Sequence, residues 1–207
     1  MNSLLSHLQP TATNMIRLDH AHLMSVFQQY RPGATTRVKK GLVATICTAL
    51  EIHAQIDEEI FYPAMREATA DESIRKSLEE HAEINRMVAL LRKMEPDATD
   101  YDETVMALMR EVMHHMANEE TIVLPAAERL LTDSLGDLGM RMTKRRLQLV
   151  APRGGEIALN MGRAVSGNAA ALSMTALSAL GLAWAARSNF TATSAHRLVD
   201  HGVVNQP

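Results

Sequence analysis

One turn of helix is written twice in this chain. His53-Ala54-Gln55-Ile56-Asp57-Glu58, followed by Pro63, is matched 62 residues later by His115-Met116-Ala117-Asn118-Glu119-Glu120, followed by Pro125. In each copy a carboxylate follows the His at i+4, a Glu stands beside that carboxylate, and a Pro comes six positions after it. The repeat extends backwards, since His20 precedes His53 by 33 positions and His81 precedes His115 by 34. The duplicated unit is therefore a helix pair.

Residues four apart on an α-helix lie one turn above each other on one face. His53 with Asp57, and His115 with Glu119, each aim an imidazole and a carboxylate at one point. Apolar neighbours place that face inward: Ala49, Ile56 and Ile60 beside the first pair, and Leu108, Val112, Ile122 and Ala126 beside the second. An ionised carboxylate in an apolar core costs several kcal/mol (roughly) unless it is paired or bound to a cation. A metal resolves the conflict, and imidazole with carboxylate suits iron, manganese or zinc. His20, His53 and Asp57 from one unit, with His81, His115 and Glu119 from the other, make six donors, more than one tetrahedral zinc uses. Two irons bridged by Asp57 and Glu119, with a position left open for a small ligand, are the economical arrangement for facing helices of a four-helix bundle.

These residues resemble the hemerythrin-like, or HHE cation-binding, family. Its pattern is a His on the first helix, H-x-x-x-E on the second, a His on the third and H-x-x-x-E on the fourth. Here it reads Asp19-His20, then His53 to Asp57 running into Glu58-Glu59-Ile60-Phe61-Tyr62-Pro63, then Glu80-His81 with Ile84, then His114-His115 to Glu119 running into Leu124-Pro125. The resemblance covers residues 12 to 132. It implies an all-α, up-down-up-down bundle over residues 1–132, a cofactor of two iron ions with an oxo bridge as an option, and a gaseous or peroxide ligand: O2, NO or H2O2. Two departures stand out. Asp57 replaces the family's usual Glu, and Asn85 stands where the animal oxygen carriers have a second His one turn after the third-helix His. Sensing, iron handling or peroxide chemistry is therefore expected ahead of simple reversible oxygen carriage, and whether the centre turns over is left open.

Helix boundaries follow from breakers and caps. The first helix is expected from Thr13 to Tyr30, the second from Thr35 to Ala68, the third after an Asp71 N-cap up to Pro96, and the fourth from Asp100 to Leu131. Pro63 and Pro125 fall inside the second and fourth, where each removes one backbone bond and is expected to kink the helix. Glu58, Glu59 and Glu120 read first as a solvated face, with support of the ligand histidines from behind as the alternative, Tyr30, Phe61 and Tyr62 as packing residues, and Met24, Met113 and Met116 as core filling.

Residues 133–207 are expected to form a helical extension with a loose tail: a short basic helix over 135–150 ended by Pro152 and Gly154-Gly155, then a helix-compatible run from Glu156 to Arg187. Residues 167–186 carry no charge and are long enough to cross a bilayer, but Ala, Ser, Thr, Asn and Gly dilute their hydrophobicity. Soluble packing or homo-oligomerisation through this helix is the stronger expectation and membrane association the weaker.

Charge divides the chain likewise. Residues 1–132 hold 13 Lys/Arg against 20 Asp/Glu, while residues 133–207 hold 8 against 4. An acidic bundle with a weakly basic tail is not built for nucleic acid. A single cysteine, Cys47, excludes a disulfide framework and suits a reducing compartment. Met1 to Gln9 is too short for a signal peptide and is stopped by Pro10, so a cytoplasmic location is the default expectation. Gly-rich phosphate loops, paired-cysteine motifs and Ser-His-Asp sets are lacking.

Overall fold

The computed structural model describes residues 10–70 and 72–164. Every regular element among them is helical. Helix α1 (Ala12–Phe27) begins where the Thr11 side chain accepts from the Asn14 amide at 3.3 Å. Helix α2 (Thr36–Ile56) begins in the same manner, with Thr35 accepting from Val38 at 3.4 Å. In both, a Thr hydroxyl satisfies one of the amides that a helix start leaves without a partner. Helix α2 runs through a π turn (Asp57–Phe61) into α3 (Tyr62–Ala68). Helix α4 (Glu72–Leu91) follows; the expected Asp71 cap lies outside the described residues. Helix α5 (Tyr101–Asn118) runs through a second π turn (Glu119–Val123) into α6 (Leu124–Leu130). These four long rods, joined by short connections, form the bundle expected from the sequence.

The two π turns are the duplicated prolines at work. Pro63 and Pro125 have no amide hydrogen for the α ladder. Each sits in the first turn of the helical run that follows, and the chain before it widens, so that Tyr62 N–H reaches Asp57 O and Leu124 N–H reaches Glu119 O. Each candidate carboxylate ligand is thus the first residue of a π turn. A π turn holds more residues than an α turn and shifts the phase of everything after it. That shift explains one departure from expectation: Ile122, inward at a strict α period, is 48 % exposed, while Val123, Leu124 and Ala127 take the buried face.

Two apolar clusters fill the bundle. One holds Leu23, Phe27, Ile46, Leu50, Val88, Leu108 and Val112, and the other Ile16, Ile56, Phe61, Met65, Ile74 and Leu124. Met116 and Met24 belong to the first as expected, whereas Met113 faces solvent. Tyr30 does more than pack: its hydroxyl donates to Asp102, which also takes Lys39 Nζ at 2.7 Å on both oxygens.

The extension packs on the bundle. Helix α7 (Leu135–Val150) lies against α1 and the first π turn, sending Leu138 and Met142 into the second apolar cluster. Pro152 does not end the helical path. It sits in a single 3-10 turn (Ala151–Arg153), after which α8 (Gly154–Ala164) starts at Gly154 and runs along α2. Contact is closest at Gly139, where an added Cβ would stand 2.1 Å from the Pro10 carbonyl oxygen. Gly139→Ala is therefore expected to push α7 off the start of α1 and to cost about 1–3 kcal/mol, the usual toll of overpacking. Urea unfolding measures it, and an unmoved midpoint would contradict this docking.

No helix among the described residues is long and apolar enough to cross a membrane. The uncharged run 167–186 lies outside them.

Candidate metal centre

His20 on α1, His53 on α2, His81 on α4 and His115 on α5 all turn inward, each 4 % exposed or less. Asp57 and Glu119, at the mouths of the two π turns, are equally buried. Ring centroids of His81 and His115 are 4.5 Å apart, and those of His20 and His53 are 5.2 Å apart. The six candidates fall into two groups with ligand atoms within 4.8 Å of one another: His20, His53, His115 and Glu119 in one, and His53, Asp57 and His81 in the other. His53 belongs to both.

Each imidazole faces a carboxylate on its outer side, and the pairs follow the duplication. His20 Nδ1 donates to Glu120 at 2.8 Å and His81 Nδ1 to Glu58 at 3.2 Å, so the residue after each buried carboxylate serves the His of a different rod. His115 Nδ1 donates to Glu80 at 3.1 Å, and His53 Nδ1 lies 3.7 Å from Asp19, so the residue before each lone His serves the His of the H-x-x-x-E/D turn. The three hydrogen-bonded partners fix their rings and tautomers: with the outer nitrogen protonated, the inner Nε2 carries a lone pair, while His53 faces Asp19 as a nearby charge beyond hydrogen-bond distance.

Those inner nitrogens converge on one another and on carboxylate oxygens. His81 Nε2 and His115 Nε2 approach to 3.0 Å, His20 Nε2 and Glu119 Oε2 to 3.2 Å, and His53 Nε2 and Asp57 Oδ2 to 3.4 Å. Both oxygens of Asp57, Glu119 Oε2, His20 Nε2 and His53 Nε2 are buried without a hydrogen-bond partner. Native interiors rarely leave one such atom unsatisfied. A cluster of acceptors with no donor between them is the surrounding a bound cation needs.

Protonation follows the same logic. Burial pushes His53 down to about 4, and burial likewise lowers His81, keeping both neutral as metal ligation requires. Burial also works against protonated His20, but Glu119 and Glu120 outweigh it and raise that imidazole. Burial and the nearby Glu119 charge carry Asp57 well above the usual carboxylate range. Glu119 moves the opposite way: burial opposes its charge, but His20, His115 and His53 hold it low.

Comparison with known proteins agrees with this geometry. Residues 11–127 match the hemerythrin HHE cation binding domain, more than half of the chain. The chain belongs to the hemerythrin HHE cation-binding family. Among curated relatives, a DNA nickase from a Nostoc species is 24 % identical over 113 residues, which are 55 % of this chain and 32 % of that protein. The chain thus spans about a third of the length of the curated relative it matches. Among solved structures, a hemerythrin HHE cation binding domain-containing protein from Mycobacterium kansasii superposes with a TM-score of 0.61 at 19 % identity, covering 78 % of this chain and 96 % of that one. At that identity it speaks for the fold alone.

Within this HHE domain some site residues differ from their sequence reading. Glu58 and Glu120 do not simply form a solvated face: they remain 40 % and 43 % exposed but hold His81 and His20. Glu59 does face outward, pairing with Arg145 at 2.6 Å. Tyr62 is not only a packing residue, since its hydroxyl donates to Glu119 Oε1 at 2.8 Å and lies 3.4 Å from His81 Nε2. Asp19 and Glu80 were legible only as neighbours of a His, and their partners on other rods required the fold. His114 is largely exposed, as expected of a non-ligand.

Proposed function

We propose that this HHE protein carries a non-haem di-iron centre that binds or senses a small ligand, O2, NO or H2O2. The observation that supports it is the pair of donor groups meeting at His53: six buried donors in two sets match two ions better than one. His20, His115 and Glu119 would hold one ion and Asp57 and His81 the other, with the single inner nitrogen of His53 within reach of either group. Iron would supply reversible binding of such ligands together with electron transfer to them. Imidazole with carboxylate and no thiolate suits it, with manganese or zinc as competitors.

The chain's own part is to orient and to exclude. Glu58, Glu80 and Glu120 fix three of the rings and Asp19 places its charge 3.7 Å from the fourth, while the apolar clusters around the ligand layer would admit small molecules and keep bulk water out. Anaerobically reduced, iron-loaded protein exposed to O2 is expected to develop a new visible absorption band. An unchanged spectrum in a sample of verified iron content would overturn the reading.

Tyr62 favours a second reading, a peroxide-consuming enzyme of the same centre. Its O–H keeps a proton within the ligand layer, 2.8 Å from Glu119, where proton delivery to a reacting oxygen would be needed. Consumption of many equivalents of H2O2 per chain, lost in His115→Ala, would separate this reading from a stoichiometric binder. The nickase named among the relatives gives this chain no claim on DNA, because the acidic balance of residues 1–132 works against a polyanion.

A further inference from the structure

We propose that Arg146, on the helix that follows the bundle, is a positioning residue of the metal centre, acting on His53 through Asp19. The inference rests on the di-iron reading above and extends the centre into α7. Arg146 crosses from α7 to α1 and takes Asp19 with both arms of its guanidinium, Nη1 to Oδ1 at 2.5 Å and Nη2 to Oδ2. The same Oδ2 is the oxygen 3.7 Å from His53 Nδ1. A two-pronged arginine fixes both the position and the plane of a carboxylate, which a lysine does not. The orientation of Asp19, and with it the negative charge that faces the His53 ring at 3.7 Å, is therefore set from outside the four-helix bundle.

The duplication supplies an internal control. Glu80 stands behind His115 as Asp19 stands behind His53, though at 3.1 Å rather than 3.7 Å, and its nearby cations are Lys76, at 3.6 Å and half exposed, and His114. Lys76 stands four residues before Glu80; four before Asp19 the chain has Met15. Met15 is covered by α7, whose Thr143 hydroxyl points to its sulfur at 3.3 Å. Where the second copy has an exposed lysine, the first has an arginine delivered by another helix. That substitution falls behind the one ring that lies within reach of both donor groups. Partners behind metal-bound histidines typically carry about 10–100-fold in metal affinity.

The test compares two neighbours on α7. Arg146→Ala, Arg146→Lys and Arg145→Ala are each loaded with ferrous iron under anaerobic conditions, and iron release to a competing chelator is followed beside the visible spectrum and the melting of the metal-free chain. Arg145→Ala breaks a bridge from the same helix, to Glu59, which does not touch a candidate ligand. Arg146→Ala is expected to release iron about ten times faster or more with a shifted spectrum, Arg146→Lys to recover only part of the loss, and Arg145→Ala to match wild type. Equal effects from Arg145→Ala and Arg146→Ala would mean that docking of α7 alone matters, and no effect from either would mean that Arg146 does not reach the centre; both overturn the proposal. If Arg146→Ala will not fold, Arg146→Lys decides, since a wild-type release rate from that one-pronged cation equally overturns it. A wild-type chain that takes up no iron overturns the di-iron reading and this inference together, whereas an iron-loaded wild type indistinguishable from Arg146→Ala overturns this inference alone.

Discussion

His53→Ala is expected to lower the affinity of the centre by more than about 100-fold, because it removes a donor within reach of either group and even the outer partners of metal-bound histidines are worth about 10–100-fold. His53 is the ring common to both donor groups, whereas His20 belongs to one and His81 to the other. His20→Ala and His81→Ala should therefore each retain one ion more readily than His53→Ala retains any. Titration of the metal-free variants with ferrous iron, read as stoichiometry and affinity, checks the ranking. If His53→Ala kept the wild-type stoichiometry and affinity while His20→Ala lost them, His53 would not be a ligand.

The second large effect is one of opposite signs. Asp57→Asn is expected to weaken metal binding yet to stabilise the metal-free chain at neutral pH. Both Asp57 oxygens are buried without a hydrogen-bond partner, and Glu119 adds a second negative charge nearby. Asn has no proton to hold and no charge to bury, so it removes what either costs the folded chain at this site, about 1–4 kcal/mol. For a chain of this size that is about 2–4 °C of melting temperature per kcal/mol.

The pH dependence carries the same signature. Since Asp57 has its folded-state pKa raised, the folded chain holds this proton more tightly than the unfolded chain does. Its contribution to stability is fully present below the ordinary carboxylate range and is lost as pH rises from there towards the raised value. Metal-free wild type should lose stability over that interval and Asp57→Asn should lose less. Glu119, held low, has the reverse sign: its contribution is present above the ordinary carboxylate range and disappears only in strong acid. Thermal melts of both metal-free proteins from about pH 4 to pH 8 test this; a wild type that gained more stability than Asp57→Asn across the interval would contradict it.

The centre was unusually legible in the sequence because duplication makes a weak signal specific. A lone buried His carries little information, but two His with i+4 carboxylates, each preceded at 33 or 34 positions by another His, leave few physical alternatives to a shared cation. What lay next to those residues was harder to read. Glu58 and Glu120 sit about 100° round the helix from an inward ligand, a place that one helix alone presents as solvent and a bundle turns into a seam. Ile122 was misplaced because a strict α period runs through a π turn that only the Pro125 context reveals.

Tyr62 was read as filler for the same reason: it is the first residue after a π turn, and its side-chain direction depends on that phase shift. Arg146 carried no signal in sequence. It lies 127 residues from Asp19, within a short basic run that reads as surface charge, and it acquires meaning only when Gly139 lets α7 approach the start of α1.

Elemental analysis of the full chain, purified without added metal and set beside its absorption spectrum, tests the di-iron centre most directly. The expected result is two iron atoms per chain, reduced to one or fewer in His53→Ala. One atom per chain in the wild type, or none, would contradict a centre of two ions.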